Sequence, residues 1–283
     1  MSENVIPLAG VIGHPIAHSR SPRLHGYWLS HYGLNGHYIP MDVARDDLER
    51  VLRTLPRMGF RGVNITIPHK ERALELADLV TDRAALIGAA NTLIFRADGK
   101  IHADNTDGYG FIENLRQHAP GWQADAGPAA VLGSGGASRA VVCALLDAGA
   151  PEVRLTNRTR ARAEQIRGDL GARITVFDWS QAGNMLDEAA TVVNTTSLGM
   201  EGQPPLRVPL DGLSPSALVT DLVYAPLETP LLAQARERGC TTVDGLGMLL
   251  HQAVPGFERW FGQRPEVTDA LRAHVMANTG PQT

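Results

Sequence analysis

Runs of apolar residues alternate along the chain with stretches whose apolar positions recur at helical spacing. Val5 to Ile12, Gly62 to Ile67, Ala129 to Leu132, Val153 to Thr156 and Leu218 to Val223 read as strands. Strands separated by helices in this way predict an α/β fold with mainly parallel sheets. Punctuation sharpens the reading. Ser21 is placed to cap a first helix, Pro22 suits its first turn because no N–H is needed there, and Gly33 suits its end. Thr229, Pro230 and Gly239 repeat that signature. Between predicted strands at Thr92 to Phe95 and Ile101 to Ala103, Asp98-Gly99 marks a hairpin turn, hence a local antiparallel insertion. The most loop-like stretch is Ala119 to Pro128, after which a new strand, glycine loop and helix begin, so a domain boundary falls there or one helix earlier. No internal repeat or low-complexity tract appears.

Composition narrows the class. With 283 residues, 43% of them apolar, the chain is long for one domain and two are expected. The 26 basic and 30 acidic side chains are interspersed and sum to −4, leaving no one-signed stripe to track a phosphate backbone, so nucleic acid is not an expected partner. Two cysteines, Cys143 and Cys240, in segments that read as packed structure point to a reduced, cytoplasmic chain. The first ten residues lack the basic start of a signal peptide, and no apolar run reaches the ~20 residues that span a bilayer, so no membrane is expected either.

After the apolar Ala129 to Leu132 comes Gly133-Ser134-Gly135-Gly136-Ala137, then a helix with Ala140, Ala144 and Ala148 on one face. Strand, tight glycine turn and helix N-terminus together favour a pyrophosphate. Ser138 replaces the third glycine of the simple GxGxxG pattern. The following strand ends in Asn157-Arg158-Thr159, with no acid to hold a ribose 2′-hydroxyl. Arg158, with Arg162 one helical turn on, offers guanidinium forks for a 2′-phosphate, which argues for NADP over NAD; the alternative is two solvated charges at a helix start.

Asn64, Thr66 and Lys70 lie where a predicted strand passes into a helix, the edge at which a parallel sheet exposes its ligand crevice. A lysine there faces the positive end of the helix dipole, where an acid would serve stability better, and this makes Lys70 a candidate proton donor, with a solvated surface charge as the alternative. Asp104, Asn105, Thr106 and Asp107 precede another helix; Asp107 is either its cap or the anion that keeps a catalytic lysine oriented. Ser19 and Ser21, at the entry of the first helix, are placed to receive a carboxylate, with capping the competing role for Ser21. His14, His18 and His25 are separated by Pro15 and Pro22, which breaks any helical ligand spacing, and no metal is expected.

The strings HSRSP, NITIPHK, GAANT, NTDGYG, GSGGASRA, NRTRARA, NTTSLGM and DGLGMLLHQA occur in one order between about Gly13 and Gly262, and together they resemble the shikimate dehydrogenase family. The resemblance implies an NADP-dependent oxidoreductase acting on a CH–OH group, reducing 3-dehydroshikimate to shikimate. It implies an N-terminal α/β substrate domain, residues 1–106 completed by C-terminal helices at 246–283, and a Rossmann-type NADP domain at 107–245, with the site in the cleft between them. Lys70 and Asp107 then match the catalytic pair. Ser19, Ser21, Thr66 and Tyr224 match groups around the substrate carboxylate, and Asn91, Asp107 and Gln252 those that hold the ring hydroxyls. For NADP(H), Gly133, Ser134, Gly135, Gly136 and Ala137 match the pyrophosphate site. Asn157, Arg158, Thr159 and Arg162 match the adenosine phosphate, and Thr195, Ser197, Met200, Gly245 and Met248 the nicotinamide side. Gly26, Ser134 and Thr195 depart from the residues usual in these strings. A quinate/shikimate dehydrogenase using NAD or NADP, and a non-catalytic ligand-binding relative, are the alternatives; the family contains both monomers and homodimers.

Overall fold

Strand β1 (Leu8–Gly13) starts after Pro7, whose missing N–H cannot join a sheet ladder, and leads through a turn into α1 (Ser21–His31). Ser21 is not the cap expected of it. It is the first helical residue, Arg20 occupies the cap position without a side-chain bond, and the Ser19 hydroxyl accepts from the Ser21 N–H at 3.3 Å. The chain continues through β2 (His37–Asp42), α2 (Leu48–Thr54), β3 (Phe60–Ile65), α3 (Lys70–Glu75), β4 (Leu79–Val80), α4 (Asp82–Ile87), β5 (Thr92–Phe95) and β6 (Ile101–Asp104). In the computed structural model, which describes residues 6–277, these strands form one sheet in the order β2-β1-β3-β5-β6-β4. β1, β2 and β3 run parallel, while β5 is antiparallel to both β3 and β6, joined to β6 by the turn at Asp98-Gly99. Val5 of the expected first strand, and residues 278–283 of the expected C-terminal helices, lie outside the described residues.

The second half builds α5 (Asp107–His118), β7 (Ala129–Leu132), α6 (Gly136–Asp147), β8 (Val153–Asn157), α7 (Arg160–Leu170), β9 (Ile174–Asp178), β10 (Thr191–Asn194), β11 (Leu218–Asp221), α8 (Pro230–Glu237) and β12 (Thr241–Val243). All six of its strands are parallel, in the order β12-β11-β10-β7-β8-β9. Two cores cover this sheet. Ala129, Val131, Val193 and Leu218 face one, with α5, α6 and α7; Ala130, Leu132, Val192 and Val219 face the other, with α8. Burial on both faces explains why β7 is apolar at every position rather than at alternate ones. Thr229 caps α8 as its sequence predicts, accepting from the Leu232 N–H at 3.4 Å.

Helix α9 (Leu246–Phe261) and α10 (Asp269–Met276) close the chain. One compact unit takes the described residues up to Thr106 and from Gln252 onward; the other is Asp107–His251. The second unit therefore runs six residues past the 245 boundary expected for it. The first turn of α9 explains this: a Cβ on Gly247 would strike the Asn114 side chain of α5, so the helix begins tight against the second unit's own core. Its later residues serve the first unit, where the Trp260 indole donates to the Leu93 carbonyl at 3.2 Å.

Candidate functional site

In the first unit, β1 and β3 end at one edge of the sheet, and β5, running the other way, begins there with Thr92 opposite Asn64. Their loops are stitched together by main-chain bonds. Thr66 N–H donates to Ile12 O (2.9 Å), His14 N–H to Ile67 O (3.0 Å) and Ala90 N–H to Lys70 O (2.9 Å). This edge gathers Ser19, Ser21, Thr66, Lys70 and Asn91, and Gln252 joins them by accepting from the Asn91 amide at 3.2 Å. Lys70 is the first residue of α3, as its motif predicts, and is half-buried.

Behind this edge runs a buried polar line. Asn91 Oδ1 accepts from Thr106 N–H and from the Thr92 hydroxyl, both at 2.9 Å, and the Thr106 hydroxyl donates to Gln252 O at 2.8 Å. Asn64 donates to Asn91 O at 3.1 Å and accepts from the Tyr38 hydroxyl at 2.7 Å. Burial pushes the Tyr38 phenol well above its usual range, with Ser21 opposing, so Tyr38 stays a donor. Tyr38, Asn64, Thr92 and Thr106 thus form a support between Ser21 and Asn91. Thr66 lies in the residues just beyond β3, and Thr106 is one peptide bond from Asp107, the buried first residue of α5. Asp107 and Tyr224 belong to the second unit.

In that unit the strand order reverses between β7 and β10, the switch point where an open parallel sheet leaves a crevice at its C-terminal edge. The glycine loop and the Thr195 segment leave the sheet there. Gly133 has φ +111°, and a Cβ on it would meet the Thr195 hydroxyl at 2.6 Å, so only glycine fits. Thr195 donates that hydroxyl to Leu132 O at 2.7 Å. Ser138 takes over the missing third glycine's place by folding inward: fully buried, it donates to Gly133 O at 2.6 Å and closes the loop on itself.

Three observations fit this loop to a dinucleotide. Nothing of the protein lies within 4 Å of a Cβ built on Gly135 or Gly136, at the start of α6, so the helix N-terminus is open above them. The buried Ser134 hydroxyl has no hydrogen-bond partner. At the end of β8, Asn157 donates to Thr159 O at 3.0 Å, while Arg158 and Arg162 are exposed and make no ion pair among the described residues. Nearby arginines do: Arg160 pairs with Asp178 and Glu164, and Arg139 with Asp169. Ser197 and Met200 are exposed on the loop after β10.

Sequence reasoning missed Asn194 and Asp221, the last residues of β10 and β11, opposite each other in register. Both are fully buried, with Asn194 donating to Asp221 at 2.9 Å. Burial pushes the Asp221 carboxyl up to about 6, against hydrogen bonds from Val223, Thr229 and Asn194. The signal for Asp221 was present: an acid inside the apolar run LVTDLVY. Gly245 and Met248 are buried beside this strand end and in α9. Among the described residues, no group of three or more His, Cys, Asp or Glu side chains is arranged to hold a metal, and no helix is long and apolar enough to cross a membrane.

Known proteins are similar to this chain over nearly its whole length. Residues 11–93 match the shikimate dehydrogenase substrate binding domain, 117–200 the shikimate / quinate 5-dehydrogenase family and 245–276 the shikimate 5'-dehydrogenase C-terminal domain. A shikimate dehydrogenase (NADP(+)) of Paracoccus denitrificans is 72% identical over 271 residues, 96% of each chain. The structure of a Thermus thermophilus shikimate 5-dehydrogenase in complex with NADP(H) and shikimate has a TM-score of 0.84 at 37% identity, covering 96% of this chain and 98% of that one. A Corynebacterium glutamicum quinate dehydrogenase in complex with NAD has a TM-score of 0.88 at 32% identity, covering 96% and 99%. With relatives this similar over nearly its whole length, the chain belongs to the shikimate dehydrogenase family.

Proposed function

We propose that this protein reduces 3-dehydroshikimate to shikimate with NADPH, reversibly, in the biosynthetic route to chorismate and the aromatic amino acids. The observation that carries the reading is 72% identity, across 96% of both chains, to a shikimate dehydrogenase (NADP(+)). The open glycine loop and the sheet edge that carries Lys70 and Asn91 support it.

When bound, the dihydronicotinamide supplies a hydride to the ring ketone. The chain's own part is to hold the acid and deliver a proton. Ser19, Ser21, Thr66 and Tyr224 are assigned to the substrate carboxylate, and Asn91, Gln252 and Asp107 to the ring hydroxyls. Lys70 is assigned to give its proton to the ketone oxygen as charge grows there, and Asp107 to orient that ammonium. The open glycine loop and the orphan Ser134 hydroxyl are assigned to the pyrophosphate, and Arg158 and Arg162 to the 2′-phosphate. The cytoplasm is the expected compartment, since Cys143 and Cys240 are free thiols.

The test follows reduced-nicotinamide absorbance with 3-dehydroshikimate in one direction and with shikimate or quinate in the other, each with both cofactors. Turnover is expected with 3-dehydroshikimate and NADPH, and with shikimate and NADP⁺ in preference to quinate and NAD⁺. Faster turnover of quinate with NAD⁺ would reassign the protein within its family, and ligand binding without turnover would make it a non-catalytic relative.

A further inference from the structure

The second unit holds a carboxylate that the proposed chemistry does not use. Asp221 ends β11, fully buried, and no cation pairs with it among the described residues. It is instead held by neutral donors: Asn194 Nδ2 and Val223 N–H reach one oxygen, each at 2.9 Å, and the Thr229 hydroxyl reaches the other at 2.8 Å. An acid kept in a core on such terms is costly, so its bonds point to a purpose beyond packing.

Each bond leads to a different segment. Asn194 spends its second amide hydrogen on Leu198 O at 3.2 Å, and its oxygen accepts from the Thr196 N–H at 3.0 Å and the Thr196 hydroxyl at 2.8 Å. The turn carrying Thr195 and Ser197 is therefore wound around Asn194, and Asn194 is held by Asp221. Val223 N–H bends the chain toward Tyr224. Thr229 bonds Asp221 with its hydroxyl proton while accepting from Leu232 N–H, which fixes the start of α8. A fourth segment needs no side chain: a Cβ on Gly245 would strike the carbonyls of Leu222 and Asp221, so the turn before Met248 rests directly on the same strand end.

We propose that Asp221 is a positioning residue for the nicotinamide end of the cofactor, acting through Asn194 and its own strand end to fix the 195–200 and 245–248 segments. This rests on reading those segments as the nicotinamide side. Asp221 touches no reacting atom. Its effect is to set where Thr195, Ser197 and Met200 stand, and a misplacement of about 1 Å in such groups costs on the order of a hundredfold in rate.

The test separates the two halves of the cofactor. Asp221→Ala and Asn194→Ala are expected to lower kcat with NADPH by roughly ten- to a hundredfold, while the adenosine half alone, probed as 2′,5′-ADP by calorimetry, binds within about twofold of the parent. Asp221→Asn keeps an oxygen for Asn194 and Val223 and gives up only the acceptor of the Thr229 proton, so it is expected to restore most of the rate. Asn194→Ala and Asp221→Asn keep the test available if Asp221→Ala does not fold, which its melting curve reports. Unchanged kcat in the alanine variants overturns the proposal, as does a parallel loss of 2′,5′-ADP affinity, which would mean the whole unit is disturbed. Failure of Asp221→Asn to rescue would overturn positioning through the bonds to Asn194 and Val223, which that variant keeps. Met200→Ala checks the underlying reading separately: if NADPH kinetics ignore that exposed side chain, the assignment of the segment fails whatever Asp221 does.

Discussion

The imidazole of His25 lies flat on the ring of Tyr38, with centroids 3.8 Å apart and planes within 4° of parallel. Trp28 meets its edge, and Phe257 and Trp260 complete an aromatic surround. His25 is fully buried, and burial pushes its pKa down to about 3, with Asn64 opposing only in part. A histidine in such a place behaves as a flat apolar ring that holds Tyr38 against Asn64, and it must stay neutral to do so.

That neutrality makes the fold acid-labile in a defined window. The unfolded chain takes up a proton on His25 near pH 6.5, whereas the folded chain resists it until about 3. The stabilising contribution is thus complete above pH 6.5 and is lost as pH falls toward the folded value. Urea unfolding at pH 6.5 and pH 5 is expected to differ by about 2 kcal/mol from this residue. His25→Phe, which keeps a ring on Tyr38, should flatten the series by that amount; a variant as acid-sensitive as its parent would clear His25 of the effect.

Asp221 has the opposite sign. Its folded carboxyl titrates near 6, above its ordinary value of 3.8, so its contribution is greatest below the unfolded value and falls away as pH rises through the folded one. Replacing it with asparagine removes the charge while keeping a shape that can bond Asn194 and Val223. Relative to its parent, Asp221→Asn should therefore gain stability between pH 4 and pH 7, by about 2 to 3 kcal/mol at the upper end. Denaturation of the two proteins in parallel over that range checks it, and a constant offset would show that the carboxyl does not titrate there.

How far these features could be read from sequence follows from how local their causes are. Ala129–Leu132 is a strand at the limits its apolar run predicts, and the Thr229-Pro230 cap and Asp98-Gly99 turn stand where their residues place them, because each is settled within a few positions. β2 was invisible: His37–Asp42 is an edge strand with a proline and mostly exposed side chains, so it carries no apolar run. Ser21 looked like a cap because Pro22 follows it, yet the helix begins at Ser21 itself, with Arg20 at the cap position and the Ser21 N–H bonded to the Ser19 hydroxyl. The loop edge of the first unit was legible as motifs, whereas its support was not. Tyr38 meets Asn64 across 26 positions and Asn194 meets Asp221 across 27, and only strand register brings such pairs together.

Lys70 offers a clean substitution because its main chain and side chain have separable duties. Its carbonyl accepts from Ala90 N–H, and this bond survives any change beyond the Cβ. Lys70→Ala is expected to lower kcat by roughly a hundredfold or more with little change in KM, the signature of a group needed mainly in the transition state. Steady-state kinetics at several pH values check this. Wild-type turnover would remove Lys70 from the chemistry, and a KM effect alone would recast it as a binding group.

Cofactor choice is expected to turn on two arginines that have no ion-pair partners among the described residues. Among the described residues Arg160 is held by Asp178 and Glu164, and Arg167 by Glu164, while Arg158 and Arg162 on either side of Arg160 have no such partner and Asn157 stands where an NAD-binding unit would carry an acid. A charge-assisted bond to a 2′-phosphate contributes about 1.5 to 3 kcal/mol. Arg158→Ala and Arg162→Ala should each raise KM for NADPH by roughly ten- to a hundredfold and leave KM for NADH almost unmoved. Added salt should weaken NADPH binding in the parent more than in either variant, because the variants have already lost part of the charge pairing that ions screen. Measuring both cofactors in low and moderate salt separates this from a general disturbance of α7: equal losses with NADPH and NADH would show that the arginines shape the loop and leave the 2′-phosphate to other groups.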